Sequence, residues 1–403
     1  MYTEEVGAKR RERITSILWG VFFSALTVLC VVGIVASDHV DWGFGGWAWR
    51  VAGTLVLGAA AAGSFLPDWN LSGGSSLELS RTDVPADFDG FMSTYDCEPR
   101  LAAAVQSLKQ GDPGPAHTMF HTSREGAWGI RFVLVRLALD RYVGTWSALA
   151  KDGMLDGLVT RTHGDPLWLL VRGLDRGQAG RSVDFEEAER RDPADPTPSV
   201  LRLYAMRARA EREAYHAPPS EQEAMRARGR AAAGPAYLHA LSLAPELFEA
   251  HEQMLHLLSP GAYGSDAHAL DLARRAAASA PPGTDQAFLP AYAHYVIYAS
   301  LPETQADPAR PSRATYFQWP GVAEEVAVAC ARSFDAPSYV PTHRTLRLLH
   351  IAAVMHYASG DLPRLRGELA RAGPSFDPDL WVPVAGIYPA KAFADARKRV
   401  NLA

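Results

Sequence analysis

Residues 233–245, AGPAYLHALSLAP, carry the pattern that decides the fold of this chain. Ala233, Tyr237 and Ala240 recur at helical spacing, and Pro245 follows five residues after the second alanine. Small residues let two helices approach closely, an aromatic side chain fills the space beside them, and proline ends the helix. The segment therefore predicts a helix that packs against a neighbouring helix and stops before Pro245.

The same offsets occur in residues 185–193 (FEEAERRDP) and 269–281 (ALDLARRAAASAP). The three prolines are 52 and then 36 residues apart, so the second interval is close to a helix-pair repeat of about 34 residues. The charged, proline-containing stretch 213–230 accounts for the longer first interval. The alternative is that an alanine-rich helical protein contains such matches by chance.

Helix-favouring segments separated by Gly, Pro and Asp fill the chain from residue 98 onward. This part of the sequence lacks strand-like segments in which Val, Ile and Thr alternate with polar residues and a hairpin dipeptide follows. Their absence favours an all-α fold. The predicted helices cover residues 98–110, 114–122, 128–151, 166–176, 182–191, 199–215, 221–243, 247–258, 266–279, 285–299, 322–333, 342–358, 362–372 and 391–400.

The alanine, aromatic and proline pattern resembles tetratricopeptide repeats, whose second helix has these residue types at these offsets. Residues 111–120 and 360–369 also resemble the turn and second helix of such a repeat, and residues 241–255 resemble degenerate actinobacterial repeat proteins. Two features depart from the family: the Trp-Leu-Gly-Tyr series of the first helix is largely missing, and Pro235 lies inside a second helix. The resemblance implies a tetratricopeptide-repeat-like α-solenoid over residues 97–403.

Two apolar runs near the start of the chain, residues 14–36 and 47–66, are each long enough to cross a bilayer. They predict a transmembrane hairpin over residues 14–66. Small residues at four-residue spacing in both runs allow close packing within the hairpin or between subunits, so self-association stays open.

Charges beside these runs predict the orientation of the hairpin. Four basic residues lie between Lys9 and Arg13, in the tail 1–13, whereas the loop 37–46 contains Asp38 and Asp41 and no Lys or Arg. The positive-inside rule then places the tail and everything after residue 66 in the cytoplasm, at the inner face of the plasma membrane. The alternative is a cleaved signal peptide, but the first run is longer than a usual signal sequence and a second run follows it closely.

Composition predicts a linker after the hairpin and limits the classes of partner and cellular compartment. Residues 67–96 contain Gly, Ser, Pro and Asp without a sustained period, which predicts a juxtamembrane linker. The net charge of −5 does not favour nucleic acid as a partner. Three cysteines without a CxxC pair form no disulfide framework, which is typical of a reducing compartment.

His251, Glu252 and His256 form the closest approach to a zinc-protease motif. That motif needs two histidines four residues apart on one helical face, and the gap here is five, which turns the second ring away by about 140°. We expect His251 to pack against a neighbouring helix in place of a repeat aromatic, and not to bind zinc.

His117, His121 and Glu125 are spaced as a row that could hold a metal if the helix continued to residue 125. Gly126 and the polar residues before it indicate that the helix ends earlier, which favours polar residues at a helix end. His350 and His356 lie in an apolar-rich predicted helix, where we expect partly buried packing residues.

The sequence contains no GxSxG elbow, no Walker loop and no GxGxxG preceded by a strand. The charged residues between 186 and 191 are expected on an exposed helix surface, namely Glu186, Glu187, Glu189, Arg190 and Arg191. No catalytic residue, metal ligand or cofactor follows from these patterns. Catalytic groups need only meet in space, however, so an enzyme is not excluded.

Two functions therefore stay open. The first is a membrane-tethered scaffold that is not an enzyme and whose helical-repeat groove takes a protein or peptide partner. The second is a membrane-anchored hydrolase with a pocket between helices. An open groove with aromatic and arginine side chains favours the scaffold, whereas perturbed acids and histidines in a deep cleft favour the hydrolase.

Overall fold

The computed structural model describes residues 92–124, 127–145, 148–177, 183–216, 218–303, 311–385 and 388–401. The predicted tail, the transmembrane hairpin 14–66 and the linker up to residue 91 lie outside these residues. Among the helices in the described part of the chain, none combines the length and the apolar character that crossing a bilayer requires.

The described residues form an all-α domain of sixteen helices that have eight or more residues each. In chain order they are α1 Ala102–Lys109, α2 Gly114–Thr122, α3 Trp128–Leu137, α4 Ala148–Arg161, α5 Pro166–Gly177, α6 Val183–Arg191, α7 Thr197–His216, α8 Pro219–Leu243, α9 Phe248–Leu257, α10 Asp266–Ser279, α11 Leu289–Ser300, α12 Val322–Arg332, α13 Thr345–Ser359, α14 Leu362–Ala372, α15 Pro378–Ala385 and α16 Pro389–Arg399.

Helices that follow one another in the chain pack as pairs, which confirms the predicted all-α fold of helix pairs. Extensive contacts join α1 with α2, α5 with α6, α7 with α8, α10 with α11, α11 with α12, α13 with α14, and α15 with α16, and α7 also packs against α9. Gly111 and Gly360 lie in the turns of two of these pairs with φ of 81° and 80°. Glycine adopts this left-handed conformation without steric cost, which allows the chain to reverse there.

Most alanines of the sequence pattern are buried in the core. Ala233, Ala240, Ala269 and Ala273 are fully buried, and Ala188 exposes 2% of its surface. Each of the three helices ends shortly before the proline of its pattern, at Arg191, Leu243 and Ser279. The pattern therefore predicts most of the packing positions, although Ala276, which corresponds to Ala240, is only partly buried. Pro235 is accommodated inside α8.

One predicted helix, 128–151, is wrong as a single element. Helix α3 ends at Leu137, a π-helical turn covers Ala138–Tyr142, a 3-10 turn covers Val143–Thr145, and α4 then begins at Ala148. Gly144 lowers helix propensity at this break. Helix α4 continues to Arg161 although Gly153 and Gly157 disfavour a helix there, because tertiary packing overrides propensity.

Two buried clusters of apolar residues form the core. One contains residues from α1 to α7 with part of α8, and the other extends from α7 to α16. Helix α9 joins them, because Ala250 belongs to the first cluster while Phe248 and Leu255 belong to the second. Nearly every residue of α9 is buried, including its charged ones.

A short parallel strand pair links the start of the domain to its end. Strand β1, Met92–Ser93, pairs with β2, Ser375–Phe376. A single-turn helix, Thr94–Cys97, follows β1, and the Thr94 hydroxyl lies 3.4 Å from Asp377 Oδ2. In an open solenoid each repeat contacts only its neighbours, so this long-range pairing departs from the expected architecture. It also places residues 92–96, the end of the predicted linker, against the folded domain.

Candidate functional site

An open groove of about 840 Å³ lies between α6, α7, α8 and the turn that follows α9. We call it the groove; its lining residues are Val183, Phe185, Glu186, Arg202, Ala205, Met206, Arg209, Glu213, Met225, Arg228, Gly229, Ala232 and Tyr263. Apolar side chains and alanines supply most of this lining, and three arginines and two glutamates supply its charge.

Helical spacing builds the groove from three separate segments. Arg202, Met206 and Arg209 lie at i, i+4 and i+7 on α7, and α8 contributes residues 225–232 at similar spacing. Gly229 is required by close packing, because an added Cβ would lie 2.4 Å from the ring of Tyr263. The glycine thus allows the tyrosine to close one side of the groove.

Most charges of the groove are paired. Arg209 donates to Glu213 at 2.5 Å, and Tyr263 donates to the other oxygen of Glu213 at 3.0 Å. Arg202 binds Glu189 on α6 through its two terminal guanidinium nitrogens. Burial and the bond to Glu213 raise the pKa of Tyr263 to about 12. Arg228 is exposed at the rim and interacts electrostatically with Glu213, but among the described residues it donates no hydrogen bond to a carboxylate.

A second polar region is buried between α9 and the start of α13; we call Glu249, Asp285, His343 and Arg344 the charged cluster. Arg344 binds the Glu249 carboxylate and donates from Nε to Asp285 at 2.9 Å, and His343 Nε2 lies 3.1 Å from Glu249. Burial opposes ionisation of Glu249, but Arg344 and His343 outweigh it and hold its pKa at about 2.

Helix α3 covers the charged cluster through Gly129. A Cβ at Gly129 would lie 2.4 Å from Glu249 Oε1 and 2.5 Å from Arg344 Nη1. Because Gly129 has no side chain, helix α3 of the first apolar cluster can approach the ion pair between Glu249 and Arg344. Glu249 Oε2 has no hydrogen-bond partner in the described part of the chain, and Glu249 lines a cavity of about 20 Å³.

The structure separates the two histidines of the protease-like sequence. His251 lies against Tyr237 of α8, with Nδ1 2.8 Å from the tyrosine hydroxyl, and Gln286 lies 3.2 Å from its Nε2. His256 instead lies 3.0 Å from the hydroxyl of Tyr292, which donates to Glu252 at 2.6 Å. Burial lowers the pKa of His251 to about 4. The two imidazoles have different partners and do not converge on one ion.

His117 and His121 do come together, but not with Glu125, which lies outside the described residues. Both Nε2 atoms lie near Asp165 Oδ2, at 3.0 and 2.7 Å, and helix α2 ends at Thr122 as the sequence predicts. Asp165 Oδ1 also accepts from the backbone N–H at the start of α5, 3.0 Å away. The carboxylate thus stabilises both a helix start and two surface histidines.

Two other predicted groups have clear positions. His350 is fully buried, with its ring nitrogens 2.9 Å from the Ser375 hydroxyl and 3.2 Å from the Trp381 indole nitrogen, so it is more deeply packed than expected. In the charged run on α6, Arg190 and Arg191 bind Glu187, whereas Glu186 lines the groove and Glu189 binds Arg202. Glu186 and Glu189 therefore contribute to the groove and to an ion pair between helices, in addition to the predicted exposed surface.

A helical-repeat groove was expected from the sequence, but the residues that line this groove were not predicted. Its residues span positions 183 to 263 on separate helices, and the only local signal is the spacing of Arg202, Met206 and Arg209 on one face of α7. The sequence matches no protein-family model, and comparisons with curated proteins and with solved structures find no match.

Proposed function

We propose that this protein is a membrane-tethered scaffold whose groove binds a segment of a partner protein. The groove carries the proposal, because it joins an apolar surface containing Met206 and Met225 to a rim of arginines. Aromatic and arginine side chains concentrate binding energy at interfaces, and methionines adapt to differently shaped partners. The helix pairs that frame the groove are consistent with a tetratricopeptide-repeat-like architecture.

The chemistry of the groove favours a segment with an apolar side chain next to an aspartate or glutamate. Arg228 is exposed and interacts with Glu213 only at longer range, so a carboxylate of the bound segment can pair with it without breaking a hydrogen-bonded ion pair of the described residues. Arg209 already binds Glu213. The apolar side chain of the partner would lie against Met206 and Phe185.

Tethering would follow from residues 14–66. Two apolar runs in a hairpin hold the domain near one membrane face and raise its effective concentration for partners on the same membrane. The basic tail and the acidic loop 37–46 favour the cytoplasmic face.

Site-specific photo-crosslinking in native membranes tests the groove. A photoreactive residue at Met206 should capture a partner through an acidic, apolar segment, and Arg228→Glu should strongly reduce the yield. Leu238 provides the control, because it is 67% exposed and does not line the groove. Equal capture from Leu238, or a yield that Arg228→Glu does not change, would contradict the proposal.

Cysteine labelling tests the orientation. In a Gly43→Cys variant, a membrane-impermeant thiol reagent should label residue 43 in intact cells, because the loop 37–46 is expected outside. Cys97 should react only after lysis. Labelling of Cys97 in intact cells would place the domain on the other side of the membrane.

A membrane-anchored hydrolase is the second candidate, and one observation favours it. A cavity of about 250 Å³ borders His356, and burial lowers the pKa of His356 to about 4 while it raises that of Glu368 to about 8. Perturbed groups of this kind gather at active sites. A Glu368→Gln variant that stays folded yet reproduces the deletion phenotype, while Arg228→Glu is silent, would favour the hydrolase over the scaffold.

A further inference from the structure

Three consecutive helices each contribute one ionisable side chain to a buried cluster. Cys330 lies near the end of α12, His356 on α13 and Glu368 on α14, and they expose 2%, 3% and 4% of their surface. The sulfur, an imidazole nitrogen and a carboxylate oxygen all lie within 4.8 Å of one another. None of these residues lines the groove.

Two atoms of this cluster lack hydrogen bonds. Among the described residues, neither His356 Nε2 nor Glu368 Oε2 has a partner. His356 Nε2 and Glu368 Oε1 are 3.7 Å apart, which is too long for a hydrogen bond. Buried polar atoms are almost always hydrogen-bonded, because an unpaired one costs free energy. A group that binds both atoms would remove this cost.

We propose that Cys330, His356 and Glu368 bind a zinc ion. Thiolate, imidazole and carboxylate are the ligand types that zinc takes in proteins, and a thiolate disfavours magnesium and calcium. Ligand atoms around a tetrahedral zinc, at roughly 2.0–2.3 Å from the metal, are separated by about 3.3–3.8 Å. For one nitrogen and one oxygen ligand the separation is about 3.3–3.5 Å, and the 3.7 Å between His356 Nε2 and Glu368 Oε1 requires the two side chains to approach each other slightly when the ion binds.

One of the three proposed ligands, His356, borders a cavity. His356 lines a cavity of about 250 Å³ together with Met355, Asp361 and Arg364. Asp361 is engaged as the N-cap of α14, where it accepts from the Arg364 backbone N–H at 3.3 Å. Three protein ligands and a water fit a zinc site with an open position.

Burial favours the neutral form of all three ligands when no ion is bound. It raises the pKa of Glu368 to about 8 and that of the Cys330 thiol well above its usual value, and it lowers the pKa of His356 to about 4. Zinc binding therefore displaces one proton from the thiol and one from the carboxylic acid, both to solvent, while His356 binds as the neutral ring. The two negative ligands balance the charge of the ion.

The surface group His117, His121 and Asp165 is the competing candidate for a metal. Its two histidine side chains are 41% and 37% exposed, and both rings already hydrogen-bond to Asp165. No buried atom of that group needs a further partner, in contrast to His356 and Glu368. The same experiment can separate the two groups.

Metal analysis of the full chain, purified in detergent without added metal, tests the proposal. We expect one zinc ion per chain in the wild type, and a loss of at least tenfold in zinc content in Cys330→Ser and Glu368→Gln. His121→Ala should retain its zinc. A wild type that carries no zinc after incubation with zinc sulfate, or zinc that depends on His121 and not on Cys330, would overturn the proposal.

Cobalt substitution keeps the test decisive if the variants fail to fold. Cobalt(II) alone, added to the metal-free wild type, should produce a thiolate-to-cobalt charge-transfer absorption band, because Cys330 would be a direct ligand. Modification of Cys97 should leave that band in place. Cobalt that binds without such a band would show that the thiol is not a ligand.

Discussion

Arginines line both the groove and the charged cluster, but their surroundings differ. In the groove, the side chain of Arg209 is 54% exposed and binds Glu213 one turn away on the same helix. In the charged cluster, the side chain of Arg344 is 17% exposed and joins Glu249 on α9 to Asp285 before α11. The first pair constrains one helix locally, whereas the second fixes the relative positions of three elements.

Exposure to solvent explains why the loss of an ion pair should affect stability differently in the two regions. Exposed ion pairs contribute about 0–1 kcal/mol, because water screens them and side-chain entropy opposes them. A buried pair adds little net stability, but removing one partner leaves an unpaired charge and costs about 3–5 kcal/mol. The charged cluster should therefore govern folding, and the groove should be free to exchange its ion pairs with a partner.

The largest effect should come from Glu249→Ala, which leaves His343 without its carboxylate and leaves Arg344 with only Asp285 to balance its charge. We expect a loss of about 3–5 kcal/mol in the free energy of unfolding, measured by denaturant titration. Asp271→Ala is the matched control, because Asp271 and Arg275 form an exposed pair within one helix. Equal losses in both variants would remove the distinction between buried and exposed pairs.

The next effect is on the pH dependence of stability and involves His251. The pKa of His251 is about 4 in the folded protein, below the value of about 6.5 in the unfolded chain. Since the unfolded chain binds the proton more readily, stability falls as the pH drops from 6.5 towards 4. When the pH is lowered from 7 to 5, the free energy of unfolding should fall by about 2 kcal/mol less in His251→Gln than in the wild type, as denaturant titration at the two pH values would show.

Gly129→Ala should have an intermediate effect, since its Cβ would collide with the Glu249 carboxylate. Overpacking of this kind costs about 1–3 kcal/mol. Gly153→Ala is the control on another helix: nothing lies within 4 Å of the added Cβ, so better helix propensity should stabilise the protein by about 0.5–1 kcal/mol. Thermal unfolding of both variants should give shifts of opposite sign.

The smallest stability effect should come from Arg228→Ala in the groove. Arg228 is exposed, so the free energy of unfolding should change by less than about 0.5 kcal/mol. Partner capture should fall nevertheless. A substantial loss of stability would show that Arg228 supports the fold and would weaken its assignment to binding.

Helix ends were predictable where a local signal fixes them. Helices α2, α10 and α14 have the predicted bounds. Ser265 and Asp361 cap the latter two through their side chains, and glycines reverse the chain before α2 and α14. Helices α4 and α15 were missed because Gly153, Gly157 and Pro383 argue against a helix locally, and only tertiary packing outweighs them.

The candidate sites were less predictable because distant residues build them. His117 and His121 were recognised as neighbours on one helix, but their partner is Asp165, which lies before α5 and not one turn further on. Cys330, His356 and Glu368 are separated by 26 and 12 residues, so no periodic pattern connects them. Such groups meet only after the helix pairs have packed.

The β1–β2 pair has a consequence for synthesis of the chain. Met92 and Ser375 pair although 283 residues separate them. At about 5–20 residues per second, a ribosome needs roughly 15–60 s to make the intervening chain. During that time β1 has no strand to pair with, although the helices between can already pack. The domain is therefore completed from its last residues, and a nascent chain that stops before residue 375 leaves its first strand unpaired.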